Sequence, residues 1–471
     1  MTKAKAIQLT PQDTIERGLA LAAAEGADGC VVIVAETSSA NLRWANNTLT
    51  TNGAMRGSSV TVIATVGAGE GTAAGVVGRS SVTSTSLNEI VSAAVATARA
   101  SSPAEDARPL VDGTVGSGWD EEPEETSVTV YEKFAPALGE TLKRARHENR
   151  WLYGFADHEV ITLYVGSSTG LRLRQALPRG FVTATGKSGD LSQSAWVGAA
   201  TRDFSDIDPY AIDAELTRRL GWATRTVAVD PGRHATVLPP AAVADLTTYL
   251  FWVLDGRDAF EGRSVFSKAS GGTRVGEVLS QQPVHLRSDP QLPGLETFPF
   301  AVARSSGGSS SVFDNGLTLT ATDWIRGGKL ETLMTSRHTA ELIGAPVAAP
   351  GIDNYVLTVD GATGTTDDLV ARLDNGLLLT CLWYIRMVDP QTLLLTGLTR
   401  DGVYLVENGE VTGAVNNFRF NESPVDLLAR FTAAGATVPS FSREWGDYFS
   451  RTATPPLLIP DFNMSSTSQA S

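Results

Sequence analysis

Histidines are the first residues to consider for metal chemistry in this chain. A catalytic zinc site needs three protein ligands, and two of them are often histidines on one helical face. The chain has 5 histidines, and no two lie within five residues of each other. They are His147, His158, His234, His285 and His338. His147-Glu148 begins like H-E-x-x-H, but Trp151 stands where the second histidine belongs. The sequence therefore predicts no catalytic zinc on this chain.

A serine motif gives the second candidate chemistry. Gly166-Ser-Ser168-Thr-Gly170 matches the G-x-S-x-G turn that raises the nucleophile of serine hydrolases between a strand and a helix. Here the alternating residues 171–175, Leu-Arg-Leu-Arg-Gln, predict a second strand instead of a helix. The pattern therefore favours a hairpin, and an independent hydrolase that uses Ser168 is the alternative.

A polar cluster near the C-terminus is the third candidate. Asn416, Asn417, Arg419 and Asn421 alternate with two phenylalanines just before a helix start at Ser423-Pro424. Such side chains can order a loop through hydrogen bonds, or they can contact a substrate or a partner. Both interpretations stay open at this point.

Composition limits the class of protein and its partners. The chain has 471 residues, 42% hydrophobic residues and a formal net charge of -14. This acidity argues against nucleic-acid binding, which needs a basic surface. The two cysteines, Cys30 and Cys381, lie in apolar strand-like runs. Because two cysteines cannot form a disulfide framework or a CxxC site, they favour a reducing compartment. No segment has the apolar length of a signal core or a membrane span, so we expect a cytoplasmic protein with no membrane contact.

The order of the predicted elements indicates an α+β fold. N-terminal and central α/β units precede a strand-rich C-terminal domain, which we expect to be barrel-like or one large antiparallel sheet. The predicted divisions are an N-terminal domain (1–100), an acidic linker with prolines (101–127), a central domain of helix and β-meander (128–226), a β-rich domain (227–465) and a polar tail (466–471).

Local signals predict where some of these elements begin and turn. Thr10-Pro11 predicts a helix start, and Ser86 is the expected cap of a helix over 87–100. Asn52-Gly53 is typical of a hairpin turn between two strands. Residues 239–256 predict an amphipathic helix with one apolar face, which follows a buried strand and ends at Gly256.

With these segments laid out, the sequence resembles the TldD/PmbA family, which is named for modulation of DNA gyrase. The resemblance rests on the order of several short segments across residues 227–465 together with the three-part layout. The segments are Gly232-Arg-His-Ala-Thr-Val-Leu-Pro-Pro, Ser311-Val-Phe-Asp-Asn-Gly-Leu-Thr, Ile325-Arg-Gly-Gly-Lys-Leu, Asp374-Asn-Gly-Leu, Leu394-Leu-Leu-Thr-Gly, Gly402-Val-Tyr-Leu-Val-Glu-Asn-Gly, Ala414-Val-Asn-Asn-Phe-Arg-Phe and Pro456-Leu-Leu-Ile-Pro.

The resemblance implies which kind of family member this is. TldD-type members carry H-E-x-x-x-H on the helix after the G-x-x-x-V-L strand, and a late Cys-Gly-Lys segment, whereas TldE/PmbA-type members lack both. An ungapped comparison places Thr248, Tyr249 and Val253 at the motif positions, and the late segment begins at Ser442 without a cysteine. The resemblance thus implies a non-catalytic subunit with no cofactor of its own.

The same resemblance sets the expected partners. It implies a heterodimer with a TldD-like metalloprotease subunit that holds the zinc, and peptides or unfolded segments as substrates. Strands of the third unit are the expected peptide-lining surface, by addition of the peptide as a further strand. A binding or assembly protein without proteolytic association is a further alternative.

Overall fold

The computed structural model describes residues 9–468. Residues 1–8 of the predicted first domain and residues 469–471 of the predicted tail therefore lie outside the described residues. The first part of that tail is strand, because the last strand of the sheet runs through Thr467. The α-helices of the described residues are α1 Pro11–Ala24, α2 Ser84–Ala100, α3 Phe134–His147, α4 Pro209–Trp222, α5 Pro240–Trp252, α6 Gly256–Phe260, α7 Arg337–Ile343, α8 Thr366–Val370 and α9 Pro424–Arg430.

Helix starts follow the local chemistry of the sequence. Thr10 caps α1 by accepting a hydrogen bond from Asp13 N, as predicted, with Pro11 at the first helical position. The cap of α2 is Thr83, and Ser86 is its reciprocal partner three residues later, so the prediction of Ser86 as the cap was wrong. With Thr83 as the cap, the two residues form a capping box, in which each side chain accepts a hydrogen bond from the backbone N–H of the other. This arrangement satisfies two backbone N–H groups, whereas Ser86 alone as the cap would satisfy one.

The strands of the described residues fall into three sheets. Those of the first sheet are β1 Gly29–Ala45, β2 Thr48–Ala68, β3 Gly71–Ser80, β4 Trp151–Ser167, β5 Arg172–Lys187 and β6 Ser194–Thr201. The remaining strands are β7 Thr226–Val227, β8 Gly232–Leu238, β9 Val284–Ser288, β10 Thr322–Arg326, β11 Lys329–Leu330, β12 Tyr355–Val359, β13 Asn375–Leu379, β14 Leu382–Asp389, β15 Leu394–Thr399, β16 Val403–Glu407, β17 Glu410–Val415, β18 Phe418–Glu422, β19 Ala433–Ala434, β20 Val438–Ser440, β21 Thr452–Thr454 and β22 Leu457–Thr467.

The first sheet joins the two predicted N-terminal units. Its strand order is β3-β2-β1-β4-β5-β6, so residues 1–100 and 128–226 each contribute three neighbouring strands. The pairings within it are antiparallel, and β1 pairs with β4 over most of its length. Helices α1 and α2 cover one end of one face through apolar contacts. The predicted domain boundaries stay a prediction.

The turn between β1 and β2 differs from the prediction. Asn52-Gly53 lies inside β2, opposite Leu42 and Asn41 of β1, and the chain turns at Asn46-Asn47 instead. Both turn residues have positive φ, 49° and 57°, which asparagine tolerates better than most residues. The buried Asn47 side chain also donates to Arg150 O and accepts from Leu152 N, so the neighbouring strand decides the position of the turn.

The C-terminal part contains the other two sheets. One has the order β11-β10-β9-β12-β21-β20, and the larger has ten strands, with β14 at one edge and β7 at the other. The described residues are 22% helix and 39% strand and form no closed barrel, which confirms the mixed α+β class and excludes the barrel-like option. The larger sheet is antiparallel apart from the pairs β8–β13 and β7–β17. Within residues 9–468, no helix is both long enough and apolar enough to cross a membrane.

Candidate functional site

The site begins with α5, which lies in the largest apolar core. Every residue from Ala242 to Phe251 is buried, including the polar Asp245, Thr247 and Thr248. The expectation of an amphipathic helix with a single apolar face was therefore wrong. Strand β21 and helix α9 pack on sides of α5 that the sequence pattern alone left open to water.

The three motif positions lie on or just after the second half of α5. Thr248 Oγ1 lies 3.1 Å from Tyr355 Oη. The Thr247 hydroxyl also contacts Tyr355 Oη, so the three side chains form a buried cluster of hydroxyl groups. Tyr249 Oη donates to Ile385 O at 2.7 Å, and burial raises the pKa of this phenol. Val253 follows the end of α5 and supplies only hydrocarbon.

Asp245 connects α5 to the late segment. Its Oδ1 accepts hydrogen bonds from Ser442 Oγ at 2.5 Å and from Glu444 N at 2.9 Å. Its Oδ2 is buried and has no hydrogen-bond partner among the described residues. Complete burial raises the pKa of Asp245 to about 7, and the two hydrogen bonds oppose that rise. The two elements in which TldD-type relatives are expected to carry ligands therefore meet here through one carboxyl group.

Glu444 continues this connection to the edge of the large sheet. Its buried carboxylate accepts hydrogen bonds from Tyr384 N at 2.9 Å and Ile385 N at 3.2 Å, and from the Arg386 guanidinium at 3.1 Å. Tyr384 has a φ of 54° at an irregularity in the β14–β15 ladder, which turns consecutive N–H groups towards one acceptor. Glu444 thereby satisfies amides that an edge strand would otherwise present to solvent.

Aromatic side chains form the outer wall of this region. Tyr249, Trp252, Trp445 and Tyr448 contact one another in edge-on pairs, with ring centroids 5.0 to 6.0 Å apart. Trp252 is 40% exposed, Tyr448 is 73% exposed and Tyr384 on the nearby edge is 58% exposed. We call Trp252, Tyr384 and Tyr448 the aromatic rim. Exposed aromatic residues of this kind are enriched in interfaces.

Arg443 joins the late segment to the first sheet. Its guanidinium lies between the rings of Trp196 in β6 and Trp383 in β14, 4.8 and 4.9 Å from their centroids. The late segment is thus held from three sides: by Asp245, by the β14 edge and by β6.

The predicted polar cluster lies in the same sheet, two strands from the edge. Asn421 is aligned with Thr396, which is aligned in turn with Arg386 of β14. Arg419 is exposed, whereas Asn416 accepts a hydrogen bond from Val229 N and Asn417 interacts with Thr399. The structure places these residues on β18 or just before it. A contact with a substrate or a partner stays a prediction.

Ser168 lies in a hairpin, as the sequence favoured. β4 ends at Ser167, β5 begins at Arg172, and Gly170 takes a φ of 92° in the turn. Ser168 Oγ accepts a hydrogen bond from Cys30 N, and Ser168 N donates to Cys30 O. Among the described residues no histidine hydrogen-bonds to this hydroxyl, so the geometry gives the hydrolase alternative no histidine base.

The donor atoms near α5 do not fit a zinc site. Thr248 and Tyr249 offer neutral hydroxyl groups that already have partners, and Asp245 is the one carboxyl group on α5. Across residues 9–468, no group of three or more His, Cys, Asp and Glu side chains is arranged to hold a metal ion.

Sequence reasoning missed both acids that organise this region. A single aspartate inside the apolar helix pattern was the available signal, since an acid at a core position needs a partner. Its partners lie almost 200 residues away in the chain, and nothing local identifies them.

Comparison with known proteins identifies the family. The PmbA/TldA metallopeptidase C-terminal domain model matches residues 231–466, which is half of the chain. A comparison with curated protein sequences gives no match.

Solved structures show the same fold at low sequence identity. TldE from Thermococcus kodakarensis is 17% identical with a TM-score of 0.76, over 96% of this chain and 99% of that chain. A proposed modulator of a DNA gyrase from Thermotoga maritima is 17% identical with a TM-score of 0.77, over 96% and 100%. Another proposed modulator, from Bacteroides thetaiotaomicron, is 15% identical with a TM-score of 0.75, over 98% and 100%. The family model and the order of the matching segments agree, and the chain belongs to the TldD/PmbA family.

Proposed function

We propose that this chain is a non-catalytic, TldE/PmbA-like subunit that pairs with a TldD-type zinc metalloprotease in the cytoplasm. The zinc belongs to the partner, and the substrates are peptides or unfolded segments. The observation that carries the proposal is the Asp245–Ser442 hydrogen bond. It joins the helix and the late segment, where TldD-type relatives are expected to carry their ligands, through a carboxyl group that is fully buried.

The chemistry of the buried groups supports this role. Zinc-assisted hydrolysis needs an open coordination position and an activated water. Here residues Ala242 to Phe251 of the helix are buried, and the hydroxyl groups of Thr248 and Tyr249 bond to Tyr355 and Ile385. Such packing stabilises the domain without providing a reaction centre.

The exposed groups support a role in assembly or substrate contact. The aromatic rim lies next to β14, which is the edge of the ten-stranded sheet. Large aromatic side chains at such a position can provide the central contacts of a subunit interface. Beyond the Tyr384 and Ile385 amides, which bond to Glu444, the rest of this edge strand can also add a peptide as a further strand. The rim is therefore the surface of this chain that we assign to the partner and its substrate.

Reconstitution tests the proposal directly. The chain purified alone is expected to contain no stoichiometric zinc by elemental analysis and to cleave no unstructured peptide. Together with a relative that carries H-E-x-x-x-H, it is expected to elute as a complex and to support peptide cleavage. Stoichiometric zinc and cleavage in the lone chain would refute the proposal. Failure to co-elute would favour the non-proteolytic binding or assembly alternative.

Rim variants test the assigned surface. Trp252→Ala with Tyr448→Ala is expected to weaken the complex by about tenfold or more, because buried aromatic residues dominate interface energies. Tyr210→Ala is the matched control, since Tyr210 is an exposed aromatic residue on α4 in another part of the chain. Equal weakening by both variants would show that the rim is not the interface.

A further inference from the structure

Half of β2 has an open edge. β3 pairs with β2 only from Ser59 to Ala68, so residues 48–58 have β1 on one side and, within residues 9–468, no strand on the other. Every residue from 48 to 57 is exposed except Gly53, which is half-buried. An unpaired edge of this length offers a template for another strand.

Alternation along β2 identifies the free backbone groups. Ser58 O accepts a hydrogen bond from Ser81 N, just where β3 leaves the sheet, so the backbone of Ser58 faces the open side. Successive residues of a strand direct their N–H and C=O groups to opposite sides. The backbone groups of Arg56, Ala54 and Asn52 therefore face the same open side. An added strand that bonds to them would lie on the side of β2 that β3 occupies further along.

Apart from a bulge at Thr50 near the turn, this edge lacks the residues that usually protect an edge strand. Residues 48–57 contain no proline and no lysine, and the one arginine, Arg56, is paired with Glu125. Met55 is 65% exposed on the face that carries Gly53 and Gly57. A Cβ at Gly57 would meet no atom within 4 Å, and one at Gly53 only Asn41 Oδ1 at 3.9 Å. Glycine weakens a strand, and no neighbouring atom of the chain crowds either position.

Acidic groups lie beside the open edge on the other face. A cavity of about 480 Å³ is lined by Arg56 and Ser58 together with Glu36, Glu124 and Glu125. The Glu36 carboxylate accepts a hydrogen bond from Ser58 Oγ at 2.7 Å and has no ion pair among the described residues. A strand added opposite Arg56 and Ala54 would direct alternate side chains to this face. Basic side chains fit it, and a second copy of this chain would bring its own acids against these.

We propose that the open edge of β2 binds an extended polypeptide segment with basic side chains on alternate positions, as an added antiparallel strand. This proposal is independent of the assigned function, because it concerns the chain alone and a different sheet. The probe is a fluorescein-labelled peptide of four Lys-Val repeats, and its binding is measured by anisotropy. We expect saturable binding, and no binding of the matching Glu-Val peptide.

Ala54→Pro tests the backbone pairing. It removes an N–H that faces the open side, and proline is tolerated at such edge positions. We expect the affinity for the Lys-Val peptide to fall by about tenfold or more, whereas Ala54→Ser, which keeps the N–H, changes it less than about twofold. Circular dichroism checks the fold, and Asn52→Pro replaces Ala54→Pro if that variant unfolds. Unchanged affinity in a folded proline variant would overturn the proposal.

Charge variants separate a specific site from general attraction to an acidic protein. Glu36→Gln is expected to lower the affinity for the Lys-Val peptide by about threefold. Glu410 is an exposed acid at the start of β17, and Glu410→Gln is expected to leave that affinity unchanged. Equal effects of both variants would overturn the site. A doubled molecular mass of the free chain in light scattering, lost in Ala54→Pro, would assign the edge to a second copy and also overturn it.

Discussion

Replacement of Asp245 by asparagine tests the buried connection between α5 and the late segment. Asparagine keeps an oxygen that accepts from Ser442 Oγ and Glu444 N, but it cannot ionise. In the wild-type chain, burial raises the pKa of Asp245 from 3.8 to about 7, with Glu444 adding to the rise and Arg443 opposing it. Because the folded pKa is above the unfolded one, the unfolded chain releases this proton first. The contribution of Asp245 to stability therefore falls as pH rises from about 4 to 7.

The size of the effect follows from the two pKa values. One unit corresponds to about 1.4 kcal/mol, so the wild-type chain loses about 2–3 kcal/mol from this group between pH 5 and pH 8. Asp245→Asn has no such loss. For a unit the size of residues 231–466, we expect the melting temperature of the variant, relative to wild type, to rise by about 4–12 °C over this pH range.

Differential scanning fluorimetry at pH 5, 6, 7 and 8 measures this gap, which is the melting temperature of the variant minus that of the wild type. Asp426→Asn is the control, because Asp426 is an exposed acid in the first turn of α9. The melting-temperature difference between Asp245→Asn and wild type is expected to change with pH by more than that of this control. If the gap of Asp245→Asn stayed constant or narrowed towards pH 8, the carboxyl group would be ionised and stabilising. The reasoning on the buried connection would then be wrong.

Three further variants test other contacts of the fold. Asn47→Ala is expected to destabilise the chain by about 2–4 kcal/mol, because two buried hydrogen bonds and an asparagine at positive φ are lost; urea denaturation measures this. Ser168→Ala is expected to lower stability by about 1 kcal/mol through the unsatisfied Cys30 N–H, and to leave peptide cleavage by the reconstituted complex unchanged; loss of cleavage with intact stability would revive the hydrolase alternative. Glu444→Ala is expected to speed hydrogen exchange at the Tyr384 amide by about tenfold or more, and mass spectrometry that found no change would show that the carboxylate does not protect the edge.

The sequence predicted elements that depend on neighbouring residues. The cap and proline at Thr10-Pro11 and the alternation after Gly170 are local signals, and the structure contains the helix and the hairpin that they indicate. The turn at Asn46-Asn47 was missed because Asn-Gly is the stronger local signal. Its position is decided instead by buried contacts of Asn47 with β4, about 100 residues further along.

The candidate site was predicted only in part, for the same reason. The absence of ligands at Thr248, Tyr249 and Val253 is visible in the sequence, since it depends on residue types alone. Asp245 finds its partner only because the chain returns to α5 at Ser442. No local sequence pattern predicts this long-range contact. The sequence analysis did not predict that α5 is buried on its other faces. The spacing of apolar residues identifies the most apolar face of a helix, but it does not show how many elements pack around that helix.

The connection from Asp245 through Glu444 to β14 has one consequence for assembly. Glu444 satisfies the amides of Tyr384 and Ile385, so the start of the β14 edge is closed to an added strand while the late segment is in place. Asp245 holds that segment through the Glu444 amide, and the raised pKa means that its carboxyl group gains or loses a proton near neutral pH. The placement of the late segment, which leads to Tyr448 and binds the Tyr384 amide, therefore involves a buried acid on α5, the helix on which a catalytic relative is expected to carry zinc ligands. Under the proposed function, that helix positions a surface, and the same fold serves assembly where a catalytic relative serves chemistry.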